Sequence, residues 1–183
     1  MNKVGVFISR ASVSAVILTI VIGITTYTLS RSSLGVSKAD AEFMRQAYIE
    51  AELALETGDF PVGSVLVIDG KVVGKGHNEV IRNGDVRDHA EMLAIKRALR
   101  DLGEEMFAGV QGNITLYTTY EPCEMCTGLI VWTRVPRVVV GKRKSFRRLG
   151  RYYYDHLIYR LTERSGIDEQ KHDNLVKQWK RTN

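Results

Sequence analysis

Two short stretches, His89-Ala90-Glu91 and Pro122-Cys123-Glu124-Met125-Cys126, constrain this chain more than any other feature. Each reads as the start of a helix, and together they make chemical sense only if the two helix starts meet in space. One imidazole and two thiolates would then converge as three protein ligands for a zinc ion. That leaves the fourth tetrahedral position open, as in a catalytic rather than a structural centre. Cys123 and Cys126 are three residues apart, so a helix puts them on one face. Pro122 suits a first helical position, where its missing N–H has no partner to lose. Asp88 stands where it would cap the helix that His89 opens. Two helix N-termini pointed at the metal favour thiolates over thiols. Glu91 has no ligand duty and is free to carry protons. A redox pair is the other reading of Cys-x-x-Cys, and a closed structural zinc is a third. With four histidines and two cysteines, the chain has no second cysteine pair to close such a site.

Two cysteines also exclude a disulfide framework. The net charge of +5 is local rather than general. Lys142, Arg143, Lys144, Arg147, Arg148 and Arg151 lie together with no acid among them, which leaves twenty of the 26 basic residues against 21 acids. Near the other end, Ala11 to Ser30 carries no charge, with Lys3 and Arg10 before it and Arg31 after it. A run of about twenty uncharged residues is the length that spans a bilayer as a helix. Thr19, Thr25, Thr26 and Thr28 dilute its apolar centre at Ala15–Ile24. The sequence predicts a membrane-associated protein with one N-terminal pass through residues 11–30. A cleaved signal peptide followed by export, or a buried or interfacial helix, are the alternatives. The flanking cations barely set an orientation, with a slight bias toward the domain outside. The expected organisation is a hydrophobic anchor or signal segment and linker over residues 1–36, then one domain over 37–183.

Within that domain, Ala39–Thr57 has apolar residues at three- and four-residue steps and reads as a helix ended by Gly58-Asp59. Gly63–Ile68 and Lys71–Lys75 read as a hairpin around Asp69-Gly70. Asn83-Gly84-Asp85 marks a loop before a helix from His89 to Leu102. Asn113–Thr119 and Val135–Gly141 read as strands on either side of the Cys123 helix. Leu157–Thr162 reads as a fifth strand and Asp168–Arg181 as a closing helix. Strands alternating with helices argue for an α/β sheet covered on both faces.

Over roughly Ala39–Lys144 the chain resembles the cytidine-deaminase-like superfamily of zinc deaminases, and within it the tRNA-adenosine deaminases. The resemblance rests on Pro61-Val62-Gly63-Ser64-Val65-Leu66-Val67, Gly76-His77-Asn78, His89-Ala90-Glu91-Met92-Leu93-Ala94-Ile95 and Leu116 through Cys126, continuing to Arg134–Gly141. Guanine and cytosine deaminases share most of these motifs. The resemblance implies a three-layer α/β/α sandwich with a central, mostly parallel five-stranded sheet, here preceded by an N-terminal hydrophobic helix. It implies one Zn2+ per chain held by His89, Cys123 and Cys126, with Glu91 as catalytic proton carrier. It places Asn78 at the ring or ribose of the substrate, with groups near Gly63, Ser64 and Glu121 lining the pocket. A homodimer is implied on the same ground.

The reaction so implied is hydrolytic replacement of an exocyclic amino group by oxygen, with release of ammonia. After Gly141 the chain departs from relatives acting on tRNA, and it adds the N-terminal segment. These departures favour a free base or nucleoside as substrate, with wobble adenosine in tRNA as the alternative. The basic-aromatic stretch 142–154 reads as a solvated face, a track for phosphates with rings offered to bases, or a contact for anionic lipid. A membrane-tethered, non-catalytic binding module of the same fold is the competing class. It would have no need of Glu91. His77 reads as an ordinary strand-end residue, and His156 and His172 as structural or solvated.

Overall fold

In this computed structural model, the structure describes residues 37–103, 113–143 and 162–182, together with Leu18, Thr19 and Ile22. The chain divides into two compact units, Met1–Val36 and Ser37–Asn183. The expected membrane pass is not upheld: among the described residues, no helix is long and apolar enough to cross a membrane. The physical reason lies in length. The apolar centre Ala15–Ile24 is about half the roughly twenty residues that a hydrocarbon core demands. Within that segment Leu18, Thr19 and Ile22 are helical and exposed, and the rest of residues 1–36 lies outside the described residues.

The second unit opens on a reciprocal cap. The Asp40 N–H donates to Ser37 Oγ at 3.0 Å, and the Ser37 N–H donates to the Asp40 carboxylate at 3.2 Å. This capping box starts helix α1 (Lys38–Glu56). Strands β1 (Gly63–Ile68) and β2 (Lys71–His77) follow as an antiparallel hairpin. Its turn residues Asp69 and Gly70 both have positive φ, 49° and 75°, which matches the right-handed twist of the strands. The chain continues through the short helix α2 (Val80–Asn83), helix α3 (Ala90–Leu102), strand β3 (Ile114–Tyr120) and helix α4 (Glu124–Trp132). Strand β4 (Arg137–Lys142), strand β5 (Thr162–Ser165) and helix α5 (Glu169–Thr182) complete it.

The five strands stand in the order β2-β1-β3-β4-β5. Strand β1 pairs antiparallel with both β2 and β3, whereas β3–β4 and β4–β5 are parallel. The sheet is therefore mixed, not mostly parallel in its pairings as expected. The hairpin accounts for this: β1 runs against the other four and lies inside the sheet, so it turns two pairings antiparallel.

Alternation along the strands sorts the core into two faces. Leu66, Ile68, Leu116, Val138 and Val140 pack with Ala94, Ile95 and Ala98 of α3 and Ile130 of α4. Val65, Val67, Tyr117 and Val139 face the other way, onto Met44, Ala47, Tyr48 and Ala51 of α1 and Leu175 of α5. The layers are helix, sheet, helix. Each fully buried Leu, Val or Ile contributes on the order of 2 kcal/mol relative to exposure. Helix α3 lies unusually close to β2 because Gly74 and Gly76 have no side chains. A Cβ at Gly76 would fall on the Ala90 carbonyl oxygen and the Ala94 nitrogen.

Three polar ties fix the α1/α5 face. Asp40, 4% exposed, accepts hydrogen bonds from Tyr117 Oη and Arg137 Nη2, each at 2.9 Å. Burial pushes its carboxyl up, but the bonds from Arg137, Tyr117 and Ser37 outweigh that and hold it below its usual range. Tyr48 Oη donates to the Asp168 carbonyl at 2.7 Å, and Trp179 Nε1 donates to the Gly58 carbonyl at 3.0 Å. These bonds dock α5 onto α1 and the turn that follows it. The predicted strand Leu157–Thr162 lies outside the described residues except for Thr162, where β5 begins. Residues 144–154 of the basic-aromatic stretch lie outside them too.

Candidate metal centre and active site

Strands β2 and β3 run in the same direction on either side of β1, so their C-terminal ends share one edge of the sheet. That edge is where open α/β sheets bind ligands. Strand β3 leads through Glu121-Pro122 into α4, and β2 leads through His77–Asp88 into α3. The Glu121 N–H donates to the Lys142 carbonyl at 2.9 Å, which ties the exit of β3 to the end of β4.

His89 and Cys123 are the N-cap residues of α3 and α4, both with extended backbone. Neither of the expected caps operates. Asp88 instead accepts a bond from Asn83 Nδ2 at 2.7 Å. Pro122 lies just outside α4 rather than at its first position. The ligating residues themselves occupy the caps, so both helix mouths open onto the same point.

There the three expected ligands meet. His89 Nδ1 is 3.6 Å from Cys123 Sγ and 3.5 Å from Cys126 Sγ, and the two sulfurs are 3.6 Å apart. Zinc bonds of about 2.3 Å to sulfur and about 2.0 Å to nitrogen imply tetrahedral edges of roughly 3.5–3.8 Å between ligands. The triangle fits. It also selects Nδ1 as the ligating nitrogen of His89. Among the described residues, this is the group of His, Cys, Asp and Glu side chains arranged to hold a metal ion. The chemistry of the donors agrees. Cys126 is fully buried, and burial, the Glu91 carboxylate and Cys123 all push its thiol far up. A divalent cation reverses that local logic and makes the converging anions tenable.

Glu91 sits in the first turn of α3 and is 3% exposed. Its Oε2 lies 3.6 Å from Cys126 Sγ, so the carboxylate stands beside the ligand triangle. Asn78 follows β2 directly and is 9% exposed. Its N–H donates to the Val62 carbonyl at 2.9 Å, and its Oδ1 accepts the Val80 N–H at 3.0 Å. The side-chain oxygen is thus engaged locally, and Nδ2 is the group it can offer to another molecule.

Gly63 and Ser64 are placed by the sheet. The Gly63 N–H donates to Thr119 Oγ1 at 3.1 Å, and the fully buried Ser64 donates from Oγ to the Tyr117 carbonyl at 2.8 Å. Both residues have donors turned to the fold. Glu121 is half-buried at the mouth of α4.

Sequence reasoning passed over His77. Its Nδ1 lies 3.1 Å from Glu50 Oε2 and its Nε2 lies 3.3 Å from Glu79 Oε1. The run Gly76-His77-Asn78-Glu79, with an acid and an imidazole flanking the substrate-side Asn, was the one available signal.

Comparison with known proteins agrees with this geometry. The model of the cytidine and deoxycytidylate deaminase zinc-binding region matches residues 37–142. The tRNA-specific adenosine deaminase of Bacillus subtilis is 43% identical over 104 residues, which cover 56% of this chain and 61% of that protein. The chain thus spans about three fifths of the length of that relative. The tRNA-specific adenosine deaminase of Buchnera aphidicola is 34% identical over 136 residues, 74% of this chain and 86% of that protein. A solved tRNA:A34 deaminase, studied for A-to-I editing at the wobble position of transfer RNA, is 30% identical with a TM-score of 0.63. It covers 73% of this chain and 98% of its own. The guanine deaminase of Nitrosomonas europaea shares the fold at 16% identity, with a TM-score of 0.67 over 99% of this chain and 98% of that one. The chain belongs to the zinc-binding cytidine and deoxycytidylate deaminase family.

Proposed function

We propose that this protein is a zinc-dependent hydrolytic deaminase acting on adenosine in a tRNA anticodon. The observation that carries the chemistry is the buried Glu91 carboxylate beside the His89–Cys123–Cys126 triangle. A binding module of the same fold would have no use for an acid at that point. His89, Cys123 and Cys126 hold the metal. When bound, zinc supplies the Lewis acidity that activates water near neutral pH. Glu91 takes a proton from the attacking water and delivers it to the ring nitrogen. It then helps protonate the departing amino group, so that water and the amino compound become carbonyl and ammonia. Burial keeps this carboxylate away from bulk water and raises the strength of each electrostatic contact it makes. Asn78 orients the base or ribose by donating from Nδ2.

Relatives that are 30–43% identical and act on tRNA by name support this substrate. One observation favours a second reading, a free base or nucleoside. Lys142, the first cation of the basic stretch, is 3.0 Å from Asp173 and 3.4 Å from Glu169, so α5 already neutralises it. A pair of copies is the assembly carried over from the resemblance, and a mass measurement in solution tests it.

Ammonia release, with the deaminated product identified in each substrate, separates the two readings. The assay compares an anticodon stem-loop carrying wobble adenosine with adenine, guanine, cytosine and their nucleosides. Inosine in the stem-loop is the expected result, with binding that weakens steeply as salt rises. Turnover of a free compound with an unmodified stem-loop overturns the tRNA assignment in favour of the second reading.

A further inference from the structure

Strand β2 ends at His77, and the chain goes on through buried Asn78, whose Oδ1 takes the Val80 N–H, and Glu79. The His77 ring bridges the carboxylates of Glu50 and Glu79, whose side chains are 10% and 5% exposed. Glu79 also takes Arg97 Nη2 at 2.7 Å, Arg82 Nη2 at 2.8 Å and Asn83 Nδ2 at 3.0 Å. The other arm of Arg97 donates to the Lys75 carbonyl at 3.0 Å. Arg97 therefore joins the middle of α3 to both sides of the turn that carries Asn78. The Glu79 N–H donates to the Asp88 carbonyl at 2.9 Å, one residue before His89. Buried Asp59 holds the same segment from the α1 side, accepting the Ile81 N–H at 2.6 Å.

We infer that Glu79, gripped by Arg97, is a positioning residue that fixes Asn78 relative to the helix carrying His89 and Glu91. A connection that served stability alone would be made at lower cost by apolar side chains, because buried charges carry a desolvation penalty. A planar guanidinium with one arm on the Glu79 carboxylate and the other on the Lys75 carbonyl instead defines one geometry. The geometry matters here because the Asx bond from Val80 N–H sets which end of the Asn78 amide faces the substrate. Rotation of residues 78–80 would replace a donor by an acceptor. Burial pushes the Glu79 carboxyl up, yet the bonds from Arg97 and Asn83 outweigh it and keep it below its usual range. The charge on which the grip depends is thus maintained.

This inference rests on the role given to Asn78 above, and a double-mutant cycle separates the two. Glu79→Gln, Asn78→Ala and the double variant are compared with the wild type as full chains loaded with zinc. KM and kcat are measured on the anticodon stem-loop and on guanine, and amide exchange is followed over residues 78–83. Glu79→Gln is expected to keep one zinc per chain, raise KM about tenfold with kcat within threefold, and speed Val80 exchange about tenfold. Added to Asn78→Ala, it is expected to raise KM no further. An unchanged KM in folded Glu79→Gln overturns the inference, as does a full further rise in the Asn78→Ala background. An unchanged KM in Asn78→Ala alone shows instead that the substrate contact is wrong, and the inference falls with it. If the wild type turns over neither probe, unchanged Val80 exchange in Glu79→Gln is the overturning result. Should Glu79→Gln fail to fold, Arg97→Lys keeps the charge, removes the fork and carries the same test.

Discussion

Cys126 is fully buried, and its thiol is disfavoured as an anion by burial, by Glu91 and by Cys123. A metal is what such a residue is shaped for, so Cys126→Ala is expected to cut zinc from about one per chain to under a tenth, read by metal analysis after purification without added metal. Glu91→Gln should separate binding from chemistry. The amide fills the same space and leaves all three ligands in place, so zinc content stays full while kcat falls by about 10²–10⁴. Activity within tenfold of the wild type would remove Glu91 from the proton path. These residues were legible in the sequence because each pair lies close along the chain, His89 with Glu91 and Cys123 with Cys126. His77 was not. One of its partners, Glu50, is 27 residues away on α1, where helical periodicity marks an acid as a surface residue. Nothing local distinguishes an imidazole held between two buried carboxylates from one at an ordinary strand end.

Helix α5 depends on His172, which is 2% exposed and stacks on Tyr120 with ring centroids 4.6 Å apart and planes 6° from parallel. Phe60 meets both His172 and Trp179 edge-on. Burial lowers the imidazole to about 4, with Asp173 opposing and Lys142 adding to the shift. The unfolded chain then binds a proton on His172 near pH 6.5 that the folded chain refuses until near pH 4. Stability therefore falls as pH drops through that window, by about 2 kcal/mol between pH 7 and 5. Urea unfolding of wild type and His172→Phe across this range should show the variant losing that much less. A second pair of variants tests how α3 meets the sheet. Gly76→Ala is expected to cost about 3 kcal/mol or more, since the new carbon collides with the backbone of α3. Gly128→Ala in α4 meets nothing within 4 Å and should gain up to about 1 kcal/mol from helix propensity. Local signals gave these elements to within a few residues: apolar periodicity for α1, the Asn83-Gly84-Asp85 loop ahead of α3, Asp69-Gly70 for the hairpin. The mixed pairing was not legible, because the same hairpin could have put either of its strands inside the sheet.

At the scale of the whole molecule, the uncharged run at Ala11–Ser30 misled most, since absence of charge is a weaker signal than apolar length. The metal is the stronger organiser. A ligand that binds only the folded state adds about 2.7 kcal/mol at a hundredfold excess over its Kd. Stripping zinc with a chelator should lower Tm by several degrees, and restoring zinc should return it. The full increment will not appear, for a reason contained in the spacing of the ligands. Cys123 and Cys126 are three residues apart, whereas His89 is 34 residues from Cys123. When the fold is lost, the imidazole drifts away but the two sulfurs stay neighbours. The unfolded chain is therefore already a two-thiolate chelator, waiting for a third arm that only the β2–α3–β3 crossover can bring. Such a pair suits a soft ion content with two sulfurs, such as Cu(I), better than zinc. The metal carried is then expected to depend on whether loading comes before or after folding. Refolding in equal zinc and Cu(I), against loading the folded protein with the same mixture, would expose the difference as a change in bound metal.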